Sequence, residues 1–336
     1  MSVSEPKRIC VAPTMWRRKN LFHEPLILAI QISCVLNGRI LPTIGSMDMR
    51  SSLLGLFGLV TAVFIGATHG TDAIEHKLQI PIDDASGHHW AMQGRLCMPS
   101  GVDKPRLVVI NHGSPPNASD RPGMTLAGCD SEVVRWFVQR HYAVAMVLRL
   151  GYGATGGPWT ENYASCNDAD YFKAGLETAR QIGAIVDYAV TLPNVDPNDV
   201  IVVGQSAGGW GAIAYDSVPH EHVAAFVNMA GGRGGHYHDK PNSNCQSERL
   251  VDAAGKYGAT SPTPMLWIYA GNDSYFGPAL VDEMAKAYVG AGGKLSAYRP
   301  SSYGTDGHKL FFGRNGSQIW GPLVEAYLKS QGTSNQ

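Results

Sequence analysis

The sequence predicts an α/β fold, with a mostly parallel central sheet and helices on both of its faces. Three observations lead there. Short apolar runs rich in Val and Ile recur along the chain, the pattern of strands buried on both sides. Segments with apolar residues at helical spacing alternate with them. One run, "VIVV" at 200–203, passes through "GQSAGG" directly into the helix-like "WGAIAY". Composition agrees, because 44% hydrophobic and 16% charged residues mark a globular chain and not a disordered one. The net charge is −1 and the body of the chain has no basic run, so no nucleic-acid partner is expected.

Near the N-terminus, Met49 and Arg50 precede an apolar run from Leu53 to Ile65 and then small residues. This is the order of a secretory signal peptide, with cleavage after Ala67, Gly70 or Ala73. The competing reading is a membrane anchor, but the run is short for a span of ~20 residues. No stable membrane span is expected after cleavage. Residues 47–70 are therefore read as the signal peptide, and residues 1–46 as an extension from a misassigned start site. Export to a secreted or periplasmic location makes disulfides the expectation for Cys97, Cys129, Cys166 and Cys245, with three connectivities open. None of the four has the C-x-x-C spacing of a metal or redox site.

The elements follow in order. "IEHKLQIPI" and "AMQGRLCMP" read as an antiparallel opening hairpin, and "RLVVINHG" as a buried strand. "EVVRWFVQRH" is helical and "YAVAMVLRL" is the next strand. "YFKAGLETARQIGAIVDYAVTL" is a long helix that Pro193 ends. After the run at 200–203 and its helix come the buried strands "VAAFVNMAG" and "PMLWIYAGND". "PALVDEMAKAYVGAGG" is a helix with terminal glycines, "KLSAYRP" a strand and "IWGPLVEAYLKS" the last helix. Residues 71–331 thus form one catalytic domain. The polar, irregular segment 231–262 reads as a loop-rich insert over the active site.

Chemistry enters at Ser206. Gly204 and Gly208 flank it at G-x-S-x-G spacing, between a strand and a helix. That is a nucleophile elbow, which lifts a serine hydroxyl above the sheet; an ordinary glycine turn with a capping serine is the bland alternative. Asp273 follows the strand that ends at Ala270, and His308 follows the last strand. The three come in the order Ser, Asp, His, each just past the C-terminal end of a strand, where open α/β sheets place their sites. His236 and His238 compete with His308 but precede Asp273. Asp306 and Asp252 compete with Asp273. For an oxyanion hole, one N–H is expected from Ala207 and the second from Ser114 in "NHGSPP", with Gly113 as the fallback. Tyr152, Trp159, Trp210 and Tyr275, with Phe276, are candidates to line a substrate pocket, although core packing suits Trp210 equally well.

The stretches "NHGS", "RLGYGATGG", "GQSAGG", "YAGND" and "DGHKLF" resemble the α/β-hydrolase superfamily and, within it, the dienelactone hydrolase-like branch. They cover most of Leu107 to Phe312. The resemblance implies the α/β-hydrolase fold and a Ser206–Asp273–His308 triad. Dienelactone hydrolases proper carry a cysteine nucleophile where this chain has Ser206, which favours a general serine esterase. The expected function is an exported hydrolase of a small-molecule carboxylic ester, with no cofactor and no metal. Alternatives are a prolyl-oligopeptidase-type serine peptidase and a non-catalytic binding protein on the same scaffold. Substrate identity and oligomeric state do not follow from the sequence.

Overall fold

The computed structural model describes residues 73–335. The segments read from the sequence as an extension, 1–46, and as a signal peptide, 47–70, lie outside the described residues, as do Cys10 and Cys34. The chain opens with the hairpin β1 (Ala73–Asp83) and β2 (His89–Pro99), paired antiparallel along their full length. Then come β3 (Arg106–Asn111), α1 (Glu132–Val138), β4 (Ala143–Val147) and α2 (Tyr171–Ala189). The elbow strand β5 (Asp196–Gln205) leads into α3 (Ala207–Asp216) and then β6 (Val223–Met229). The rest is α4 (Ser247–Gly258), β7 (Met265–Ile268), α5 (Pro278–Gly290), β8 (Leu295–Tyr298) and α6 (Ser317–Ser330).

The sheet order is β1-β2-β4-β3-β5-β6-β7-β8. Strand β2 meets β4 antiparallel, and every later pairing is parallel. The apolar runs are explained by this geometry. Val109 and Val202 pack on the face covered by α2, α3, α4 and α5, whereas Val108, Ile110, Ile201 and Val203 pack on the face covered by α1 and α6. Both side-chain directions of a central strand are therefore buried, so alternation with polar residues is lost. Helix α2 presents Ala174, Thr178, Gln181, Ile182, Ile185 and Ala189 inward at helical spacing, and Asp170 caps its start by accepting from the Lys173 N–H.

Three features differ from or extend the sequence reading. The segment 231–262 holds a 12-residue helix, α4, whose Leu250, Ala253, Ala254 and Tyr257 are buried. Its small and polar residues mask a sound helical stripe. The domain also runs past Gln331, because buried Thr333 accepts from the Tyr142 hydroxyl at 2.8 Å. Of the three disulfide connectivities, the structure has Cys97–Cys129 and Cys166–Cys245. The first ties β2 to the loop after β3, and the second ties the segment before α2 to the segment before α4. No helix among the described residues is long and apolar enough to cross a membrane.

Candidate active site

Strand β5 delivers Ser206 at φ 54° and ψ −120°, a conformation that L-residues seldom adopt. Such a backbone costs ~1–3 kcal/mol and persists only when its surroundings hold it. Here the Ser206 N–H donates to the Met229 carbonyl at 3.0 Å. Its own carbonyl accepts from Trp210 at 2.9 Å and Gly232 at 3.2 Å. The flanking glycines are sterically required. A Cβ on Gly204 would lie 2.1 Å from the Gly208 carbonyl oxygen, and one on Gly208 would lie 2.4 Å from that of Asn111. The turn therefore closes only with hydrogen at both positions.

Asp273 sits in the turn after β7, almost wholly buried. Its Oδ1 accepts the N–H groups of Tyr275 at 2.8 Å and Phe276 at 2.9 Å. His308 lies in a single 3-10 turn, Gly307–Lys309, after β8. Its Nδ1 is 3.1 Å from Asp273 Oδ2 and 3.2 Å from Oδ1. A carboxylate partner places the proton on Nδ1 and leaves Nε2 as an acceptor. Asp306 clamps the two loops together, accepting the N–H groups of Ser274 at 3.1 Å and His308 at 3.0 Å. Burial pushes the Asp306 carboxyl up, but those donors outweigh it and hold it below the usual carboxylate range. Gln205, next to the elbow, donates to the His308 carbonyl at 3.2 Å.

The Tyr275 ring stacks on His308 at 4.0 Å and on His236 at 3.8 Å, so it lies between the two imidazoles. His236 bonds to the Ser274 hydroxyl and not to Asp273. His238 is exposed, and Asp252 pairs with Lys256 on the outer side of α4.

The loop after β3 approaches the elbow closely. A Cβ on Gly113 would lie 2.9 Å from the Ser206 Cβ. Among the described residues, the N–H groups of Ser114 and Ala207 donate no hydrogen bond. His112 fixes the loop from within. Its Nδ1 donates to the Gly113 carbonyl at 2.7 Å and its Nε2 accepts from the Arg149 N–H at 3.1 Å. Burial first, and the Arg149 guanidinium second, lower the His112 pKa to about 3, so the ring is neutral.

Behind this loop lies an ion cluster that the motif-based reading missed. Arg149 pairs with Glu161 and donates to the His112 carbonyl at 2.9 Å. Arg233 donates to Glu161 at 2.6 Å and to Thr178 at 2.7 Å. The Tyr152 hydroxyl donates to Glu161 at 3.1 Å and accepts from Trp159 at 2.9 Å. The sequence did carry one signal: an arginine inside the apolar run "YAVAMVLRL" needs a buried partner.

Ser206, His308, Gly113, Ser114 and Tyr275 line one cavity of about 490 Å³. The other pocket candidates do not line it. Trp210 is fully buried, with its indole N–H on the Tyr171 carbonyl at 2.9 Å. Helix α3 turns that side chain away from Ser206 and into α2. Tyr152 is buried on Glu161, half-buried Trp159 lies beneath Arg121, and Phe276 packs edge-on against His308. Among the described residues, no group of three or more His, Cys, Asp or Glu side chains is placed to hold a metal ion.

No protein-family model matches the chain, and no curated protein matches it. Solved structures do. A dienelactone hydrolase-like protein from Klebsiella pneumoniae superposes with a TM-score of 0.52 at 16% identity, over 76% of this chain and 98% of its own. An esterase from Pyrococcus furiosus gives 0.51 at 15% identity, over 76% and 92%. An acylaminoacyl peptidase from Pyrococcus horikoshii gives 0.55 at 11% identity, over 79% of this chain but 42% of the peptidase. At such identities the likeness is one of fold, and with the strand order it establishes the α/β-hydrolase fold. Esterases and a peptidase share that fold, so activity has to be argued from the site.

Proposed function

We propose that the protein is an exported serine hydrolase that cleaves a carboxylic ester through an acyl-enzyme. One observation carries the reading: a strained, glycine-flanked Ser206 shares a cavity with His308, whose Nδ1 is 3.1 Å from buried Asp273. In this reading His308 Nε2 takes the proton from Ser206 Oγ as that oxygen attacks the ester carbonyl. Asp273 holds the imidazole tautomer and stabilises the imidazolium. The N–H groups of Ala207 and Ser114 receive the developing oxyanion. His308 then protonates the leaving alcohol, and a water activated by the same imidazole releases the acid. The two disulfides support export, since such bonds persist in oxidising compartments.

Labelling with a fluorophosphonate, followed by peptide mapping, tests the nucleophile. Label is expected on Ser206, and Ser206→Ala should lose both the label and about 10⁴–10⁶ in kcat on a nitrophenyl ester. Label on another serine, or activity within tenfold of wild type, would refute the assignment.

A further inference from the structure

The cavity beside Ser206 differs chemically from the catalytic groups at its edge. Its volume of about 490 Å³ suits a small organic molecule. Ile110 and Met146, register partners on the adjacent strands β3 and β4, form one side of its wall. Met124, Leu126 and Ala127 come from the loop after β3, and Phe312 from beyond His308. Among the described residues, no Lys, Arg, Asp or Glu lines the space. The arginines near the oxyanion loop are engaged elsewhere. Arg149 and Arg233 are buried on Glu161, and Arg121 lies over the Trp159 ring with its Cζ 3.4 Å from the centroid. The loop wall is anchored, because Cys129, two residues past Ala127, is bonded to Cys97 in β2. Phe312 stands 42% exposed beside this apolar lining, a side chain that a bound apolar chain would cover.

We propose that this slot is the specificity pocket and that it selects neutral esters carrying an apolar chain, excluding substrates with a charge at that chain's end. The proposal rests on the ester-hydrolase reading above. An alkyl chain entering the slot leaves water and meets mainly the carbon and sulfur of Ile110, Met124, Leu126, Ala127, Met146 and Phe312, with Thr125 and Gln205 as uncharged polar neighbours. A carboxylate or ammonium entering it loses hydration and meets no counter-charge. The slot thus disfavours both anionic ester acids and peptides led by a free amine.

The test measures kcat/KM of the full chain on p-nitrophenyl alkanoates from acetate to heptanoate, and on alkyl acetates that carry the same chains on the alcohol side. In one of the two series kcat/KM should rise about fourfold per methylene until the slot fills, the equivalent of ~0.8 kcal/mol per buried methylene. On that side, a chain ending in carboxylate or ammonium should fall at least about a hundredfold below its uncharged isostere. For the acyl series the pairs are adipate hemiester against 6-methylheptanoate, and 6-aminohexanoate against heptanoate. Ala127→Phe and, separately, Leu126→Trp should each lower the ratio of long-chain to acetate kcat/KM at least tenfold. A misfolded fraction lowers both rates and leaves that ratio unmoved. If Ser206 is labelled by a fluorophosphonate and acetate is cleaved, but neither series depends on length or charge, the slot proposal is overturned while the hydrolase reading stands. If Ser206 is unreactive and no ester is cleaved, the hydrolase reading itself fails and takes the slot with it.

Discussion

Replacing Glu161 by Gln removes a charge while keeping the side chain's shape, and it tests how the loop after β3 is held. Glu161 is fully buried and accepts from Arg149, Arg233 and Tyr152. After the exchange, two guanidiniums share that site with no anion. Two routes give the size of the effect. Burial alone would raise the Glu161 carboxyl, but Arg149 and Arg233 outweigh it and hold its pKa at about 2, against an ordinary 4.5. At ~1.4 kcal/mol per pH unit, that difference makes ionised Glu161 worth about 3 kcal/mol to the fold. Removing one partner from a buried ion pair independently costs ~3–5 kcal/mol. Urea unfolding at pH 7 should therefore show Glu161→Gln less stable by about 3–5 kcal/mol. The sign of the pH dependence follows. A carboxyl whose pKa is depressed in the folded state contributes fully above its unfolded value and loses that contribution as pH falls towards the folded one. The gap between wild type and variant should close progressively between pH 4.5 and about 2. A gap under ~1 kcal/mol at pH 7, or one that stays constant into acid, would refute the reasoning. A joint exchange of Arg149, Glu161 and Arg233 for apolar residues of similar volume should be much milder than Glu161→Gln, because it strands no charge.

Other expectations follow from the same geometry. His308→Gln should collapse kcat on a nitrophenyl ester, whereas His236→Gln should change mainly KM or nothing, since His236 touches Tyr275 and Ser274 but not Asp273; a dead His236 variant beside an active His308 variant would overturn the assignment. His112 is neutral in the fold with its pKa lowered to about 3, so protonation favours the unfolded chain and stability falls as pH drops from 6.5 towards 3. His112→Gln should flatten the urea-derived stability between pH 6.5 and 4.5 by about 2 kcal/mol, and an unchanged slope would show that His112 does not carry it.

Local pattern determined much of this protein. Buried strands announce themselves as apolar runs because both faces are covered, and the elbow announces itself because a tight turn at Ser206 requires Gly204 and Gly208 within two residues. Chain order then pointed to Asp273 and His308, since parallel strands place their following loops at one sheet edge. What the tertiary structure decided is who meets whom across that edge. Glu161 stands 12 residues from Arg149 and 72 from Arg233, and no local pattern links them. They meet only because the loops after β4 and β6 converge behind His112. The disulfide pairing is of the same kind, joining cysteines 32 and 79 residues apart. Trp210 shows the converse: four residues from Ser206 in sequence, it is carried away from the cavity by one turn of α3. Periodicity survives in a sequence because each element imposes it on its own residues. The direction of a side chain and its distant partner emerge only when the elements pack.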